Sequence, residues 1–196
     1  MTKVASLTDH QLILSYLDGN ESAFAELLNR HKNRVYTAIY LLVRNEELAN
    51  DLFQDTFIKI IDRLRQGRYT EDGKFVAWAL RIAHNLCIDH IRRKQNKLTV
   101  LVEHDDKVFL SPIDESDNVE EAIMRSHTHL QLRSYIDRLP PEQREVLVLR
   151  HYANLSFREI ADLTRVNLST ALGRMRYALT HLRKMMAAQP GEERYQ

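Results

Sequence analysis

Apolar side chains in this chain recur at three- and four-residue steps over stretches of about twenty residues, a period that predicts amphipathic helices rather than strands. From Glu21 to Val43 they fall at Phe24, Leu27, Leu28, Val35, Ile39 and Leu42, and from Glu46 to Leu64 at Ala49, Phe53, Phe57, Ile60, Ile61 and Leu64. From Phe75 to Lys94 they fall at Val76, Ala79, Leu80, Ala83, Leu86, Cys87 and Ile91. A shorter helix, capped by Thr8 or Asp9 and stopped by Gly19, puts Leu12, Ile13, Tyr16 and Leu17 on one face. With only 5 Gly and 4 Pro in 196 residues, a loop-rich β-protein is excluded, and four such helices make a compact bundle. Arg65–Lys74 holds two glycines and no apolar period, so it reads as a loop.

The character changes after residue 97. Residues 98–118 hold Ser111-Pro112, several carboxylates and no sustained period, which predicts a flexible acidic linker. Helical periodicity resumes from Val119 to Arg138 and stops at Leu139-Pro140-Pro141, because the residue before a proline is pushed out of the α region. Pro141 suits the first turn of the next helix, with Val146, Leu147 and Leu149 apolar. The expected organisation is therefore all-α, with small helical domains at 1–97 and 119–190 joined by the linker. The overall charge of +1 conceals this division. Residues 1–97 carry 15 Lys and Arg against 12 Asp and Glu, residues 98–126 carry 2 against 8, and residues 127–196 carry 11 against 7. Basic blocks on either side of an acidic one suit nucleic acid as well as ordinary solvated helix faces.

The most informative local pattern lies between Leu155 and Met186. Ser156-Phe157-Arg158-Glu159 is a capping box that opens a short helix with Ile160, Ala161 and Leu163 inward. Thr164–Asn167 makes a turn, and Asn167 caps a second helix with Leu168, Ala171, Leu172, Met175, Ala178, Leu179 and Leu182 inward. The opposite side of that helix shows Ser169, Thr170, Gly173, Arg174, Arg176, Tyr177 and Arg183. Small hydrogen-bonding residues followed by arginines are what a helix needs to enter the major groove of DNA.

Four stretches, in order, resemble the extracytoplasmic-function (ECF) sigma factors, small promoter-recognition subunits of bacterial RNA polymerase. They are GNESAFAELLNRHKNRVY from Gly19, ANDLFQDTFIKI from Ala49, DGKFVAWALRIAHNLCIDHIRRK from Asp72 and LPPEQREVLVLRHYANLSFREIADLTRVNLSTALGRMRYAL from Leu139. The resemblance implies a non-enzymatic protein whose N-terminal domain is like sigma region 2 and whose C-terminal helix-turn-helix domain is like region 4. Its partners would be core RNA polymerase, promoter DNA and an anti-sigma factor, with no cofactor, no metal, no small-molecule substrate and no membrane insertion. Asp51, Gln54 and Asp55 match the polymerase-binding segment and share one helix face at i, i+3 and i+4. Phe53 stands one position off that stripe, as core or as contact rim. The loop and the fourth helix match the module that melts the −10 element. Arg68, Tyr69, Thr70, Asp72 and Lys74 are available around an unstacked base, and Arg81, His84, Asn85, Arg92, Arg93 and Lys94 form a polar and basic track. Trp78 fits either stacking or the core.

Ser169, Thr170, Arg174 and Arg176 match the helix that reads the −35 element, with Arg158 placed for a phosphate. The chain departs from many relatives at Arg165, where glycine is usual, and at Ala171 and Leu172-Gly173. Arg165 is expected to adopt a positive φ. The 21 residues of the linker reach at most about 70 Å, enough to span promoter elements ~50 Å apart. No apolar run approaches the ~20 residues of a membrane span, and MTKVASLTDHQ lacks the apolar segment of a secretory signal, so a cytoplasmic location is expected. The lone Cys87 excludes an internal disulfide. A stand-alone helix-turn-helix regulator with an N-terminal sensor or dimerisation domain is the rival reading. It leaves the acidic stripe and the basic fourth helix without a task.

Overall fold

The computed structural model describes residues 6–70, 73–97 and 131–188, and every α-helix or strand assigned among them is an α-helix. The first four are α1 (Asp9–Leu17), α2 (Glu21–Val43), α3 (Glu46–Arg65) and α4 (Phe75–Lys97). Residues 131–137 are the described part of α5. They are followed by α6 (Pro141–His151), α7 (Phe157–Thr164) and α8 (Leu168–Ala187).

Side-chain caps fix the helix starts. At α1 the Thr8 hydroxyl accepts from the Gln11 N–H at 3.3 Å while the Gln11 side chain accepts from the Thr8 N–H at 2.9 Å. Asn20 and Asn45 cap α2 and α3 by accepting from Ser22 and Leu48 N–H. Pro140 precedes α6 without a side-chain cap, and Pro141 opens the helix where no donor is needed. α4 runs three residues beyond the periodic stretch, since Gln95, Asn96 and Lys97 extend a helix without adding an apolar signal.

α1 packs on α2, α2 on both α3 and α4, and α3 on α4. The interior holds Leu12, Leu27, Val35, Ile39, Ile60, Leu64, Phe75 and Cys87, all nearly or fully buried. Burial pushes the Cys87 thiol up to about 12, so it packs as a small apolar group. In the second unit α6 and α7 both pack on α8, around Val146, Leu149, Leu155, Ile160, Ala171 and Ala178.

Four inward placements are corrected. Leu17, Leu168, Leu172 and Leu179 are exposed. On α8 the buried stripe is Ala171, half-buried Met175, Ala178 and Leu182, at steps of four, three and four. Two alanines let α7 and α6 approach closely, and the three leucines are left on the flanks of that narrow contact. The acidic linker, the 119–130 part of the expected fifth helix, and Asp72 lie outside the described residues.

The two units touch. α2 packs against α6, and one continuous core runs through both. Arg34 Nε donates to the Tyr152 carbonyl at 2.6 Å, and the Arg133 guanidinium lies 3.9 Å from the Tyr40 ring centroid. Arg81 pairs with Glu159 at 2.6 Å, His84 Nε2 lies 2.8 Å from Glu145 Oε1, and Arg44 approaches Asp137 at 3.8 Å. In all three the basic partner comes from the N-terminal unit and the acidic one from the C-terminal unit.

Candidate nucleic-acid and protein interfaces

The first surface is a stripe on α3. Asp51, Gln54 and Asp55 are all exposed, while Leu52, Thr56 and Phe57 on the other side are buried. Neither carboxylate forms an ion pair among the described residues, so the stripe is open to an external cation. Sequence reasoning missed Ile58, which continues the stripe one turn on and is 56% exposed. The signal was present: Ile58 lies at i+4 from Gln54, outside the apolar period of α3. Phe53 is half-buried, with its ring 5.9 Å from Tyr36 and 4.9 Å from Phe57, so it belongs to an aromatic cluster at the stripe's margin. No group of His, Cys, Asp or Glu among the described residues is arranged to hold a metal ion.

The second surface is the loop before α4 and the outer face of that helix. Gly67 and Gly73 both have positive φ, a conformation glycine adopts without steric cost. Arg68, Thr70 and Lys74 are exposed. Tyr69 and Trp78 are half-buried with ring centroids 4.8 Å apart, and each lies 6.0 Å from the Phe75 ring, which is buried. Trp78 is therefore bound into the loop's aromatic cluster while keeping part of its surface in solvent. Asn85, Arg92, Arg93 and Lys94 are exposed along α4. Two members of the expected basic track are not open. Arg81 is tied to Glu159, and His84 is only 3% exposed. His84 falls at helical steps from Leu80 and Cys87, which places it on the inward face of α4.

The third surface is the helix-turn-helix. The Ser156 hydroxyl accepts from the Glu159 N–H at 3.2 Å, and Glu159 accepts from the Ser156 N–H at 2.8 Å. The chain leaves α7 through Arg165 at φ 58, the positive value expected where relatives carry glycine. Asn167 then accepts from the Thr170 N–H at 2.7 Å and from the Ser169 hydroxyl at 2.8 Å, opening α8. Arg158, Ser169, Arg176 and Tyr177 are exposed, and Thr170, Gly173 and Arg174 are partly so. A Cβ built on Gly173 meets open space, so glycine there is not required by packing.

Glu159 serves both the cap and the contact with Arg81. Its carboxyl is held below the usual glutamate value chiefly by hydrogen bonds from the Ser156 backbone and side chain, with Arg81 adding to the shift and partial burial opposing it. A depressed folded-state value means its stabilising contribution is present above the unfolded glutamate range and is lost as pH falls through the folded value. Thermal midpoints measured from pH 7 down to pH 3 are therefore expected to fall less steeply for Glu159→Gln than for the parent. Parallel curves would show that this carboxylate carries no pH-dependent stability.

The family model for sigma-70 region 2 matches residues 27–97, and the model for sigma-70 region 4 matches residues 129–182. The chain is 34% identical over 168 residues to the ECF RNA polymerase sigma factor SigE of Mycolicibacterium smegmatis, covering 85% of this chain and 63% of that protein. It is 30% identical over 171 residues to the RNA polymerase sigma factor CarQ of Myxococcus xanthus, covering 87% of this chain and 93% of CarQ. In fold it is similar to CnrH in complex with the cytosolic domain of CnrY, with a TM-score of 0.59, 23% identity, and coverage of 93% of this chain and 99% of CnrH. It is also similar to the sigma factor RpoE in complex with the anti-sigma factor NepR from Bartonella quintana, with a TM-score of 0.62, 18% identity, and coverage of 85% and 98%.

Proposed function

The chain belongs to the ECF sigma factors, and from that premise we propose how its three surfaces divide the work of promoter-specific transcription initiation. The α3 stripe of Asp51, Gln54, Asp55 and Ile58 docks on a basic surface of core RNA polymerase, with Phe53 at the rim. The loop with Arg68, Tyr69, Thr70 and Lys74, continued by Trp78, Arg81, Asn85, Arg92 and Arg93 on α4, opens and holds the −10 element as single strand. The helix-turn-helix reads the −35 element as duplex through Ser169, Thr170, Gly173, Arg174, Arg176 and Tyr177, with Arg158 on a phosphate. The domains run over 1–97 and 119–190, and the acidic linker spans the distance between promoter elements.

The observation that carries this reading is the presence on one chain of an acidic stripe on α3 with no ion pair among the described residues and a doubly capped helix-turn-helix whose second helix opens with exposed Ser169 and partly exposed Thr170. A stand-alone repressor needs only the latter. The protein acts as a non-catalytic subunit in the cytoplasm; no described helix is long and apolar enough to cross a membrane. A protein that clamps the two units together, as an anti-sigma factor, is a further expected partner. Run-off transcription with purified core polymerase on the protein's own genomic fragments tests the whole reading. Specific transcripts that appear only when the protein is added are expected.

The −35 assignment has its own test. Arg174→Ala is expected to weaken upstream-element binding by ~1–3 kcal/mol if the guanidinium reads a base edge. Measured on matched and altered −35 sequences, the loss should be confined to the matched one. An equal loss on every sequence would make Arg174 a phosphate contact.

A further inference from the structure

Between the two units lies a cleft of about 350 Å³ whose walls carry Lys59 and Arg63 of α3, Arg92 of α4 and Arg165 at the end of α7. Against these four cations stands one lining carboxylate, Asp89. None of the four forms an ion pair among the described residues, and all are exposed. Like charges drawn together from both units raise the local positive potential, and a concave wall focuses it. His84, 3% exposed, lines the same cleft; Glu145 engages its Nε2, while its Nδ1 is buried with no hydrogen-bond partner. A buried polar atom left unsatisfied is costly.

We propose that this cleft is a binding site for a compact polyanion, a small molecule bearing two or more phosphate groups. The volume falls at the low end of small-molecule sites, which suits such a ligand and excludes a duplex. Three guanidinium groups offer planar forks that match phosphate oxygens, and the ammonium of Lys59 adds a further point charge. Because Arg165 belongs to one unit and Lys59, Arg63 and Arg92 to the other, the ligand binds only when the units are in contact. It therefore favours the closed arrangement by linkage. Arg92 is then unavailable to promoter DNA; that consequence rests on the function proposed above, whereas the binding itself does not.

The test uses the full-length protein without polymerase or DNA. Sodium pyrophosphate is titrated calorimetrically at fixed ionic strength, with circular dichroism confirming that each variant is folded. Saturable one-to-one binding is expected for the parent. About tenfold or greater weakening is expected for both Arg63→Ala and Arg165→Gly, the glycine being compatible with the positive φ at that position. Lys32→Ala, an exposed cation on α2 outside the cleft, should bind like the parent. Absence of saturation up to ~10 mM, a Kd too weak to reflect a built site, would overturn the proposal. So would equal weakening in all three variants, or weakening in only one of the two cleft variants. Failure of the sigma-factor reading would show in transcription, not in this titration.

Discussion

Reversing Asp51 and Asp55 together to lysine is expected to abolish binding to core RNA polymerase while leaving the protein folded. Both side chains are exposed and form no ion pair among the described residues, so no internal contact is lost. Within α3 the change sets a lysine at position 55 four residues before Lys59, a like-charge pair that costs only ~0.5 kcal/mol. At an interface with a basic partner the same change replaces attraction by repulsion at two adjacent points. Such juxtaposition costs several kcal/mol, or about a hundredfold or more in affinity. A thermal midpoint within a few degrees of the parent, together with loss of co-elution with core polymerase, is the expected pair of results. Unchanged affinity would remove polymerase binding from this stripe. Ile58→Ser is a milder companion: if the exposed isoleucine is an apolar anchor beside the carboxylates, binding weakens without any change of charge.

The second large effect concerns stability. Phe75 opens α4, is 2% exposed, and packs among the rings of His31, Tyr69 and Trp78 at centroid distances of 5.6, 6.0 and 6.0 Å. Phe75→Ala leaves a cavity beneath three rings that are held by their own elements and cannot all collapse into it. A loss of about 3–5 kcal/mol is expected, a large part of a small domain's total. Denaturant unfolding measures it directly. Phe75 also supports Tyr69 and Trp78 from below, so the variant should open −10 DNA poorly even at temperatures where it remains folded. A loss below ~1 kcal/mol would mean that the loop cluster is not braced on this ring.

Most of the helices were legible because their signals are local. The bounds of α2, Glu21–Val43, follow from the apolar period. The turn of the helix-turn-helix follows from Ser156, Glu159 and Asn167, whose partners lie within three residues. The positive φ of Arg165 was expected only through the resemblance, from the glycine that relatives carry at this place. Burial on the flanks was less legible. Leu168, Leu172 and Leu179 have the hydropathy of core residues, but the alanines beside them set how closely α6 and α7 approach and so how wide the buried stripe is. Ile58 was overlooked because an isolated apolar residue off the period carries no fold information.

The contacts between the two units were not legible at all. Arg34 with Tyr152, Arg81 with Glu159 and His84 with Glu145 join residues far apart in sequence; the two arginines look locally like solvated charges, and the inward place of His84 on α4 does not name Glu145 as its partner. On the proposed assignment their sum has a functional consequence: Arg81 must release Glu159 before it can serve the −10 strand. The same carboxylate also holds the cap of α7, so opening of the two units leaves the helix-turn-helix intact while freeing a basic group on α4.

The central claim is that α3 attaches this chain to polymerase, and mixing the purified protein with bacterial core polymerase lacking its own specificity subunit tests it most directly. Size-exclusion chromatography should give a stoichiometric complex with the parent and none with the Asp51→Lys, Asp55→Lys double variant. Elution of the parent apart from core polymerase at micromolar concentration would contradict the account.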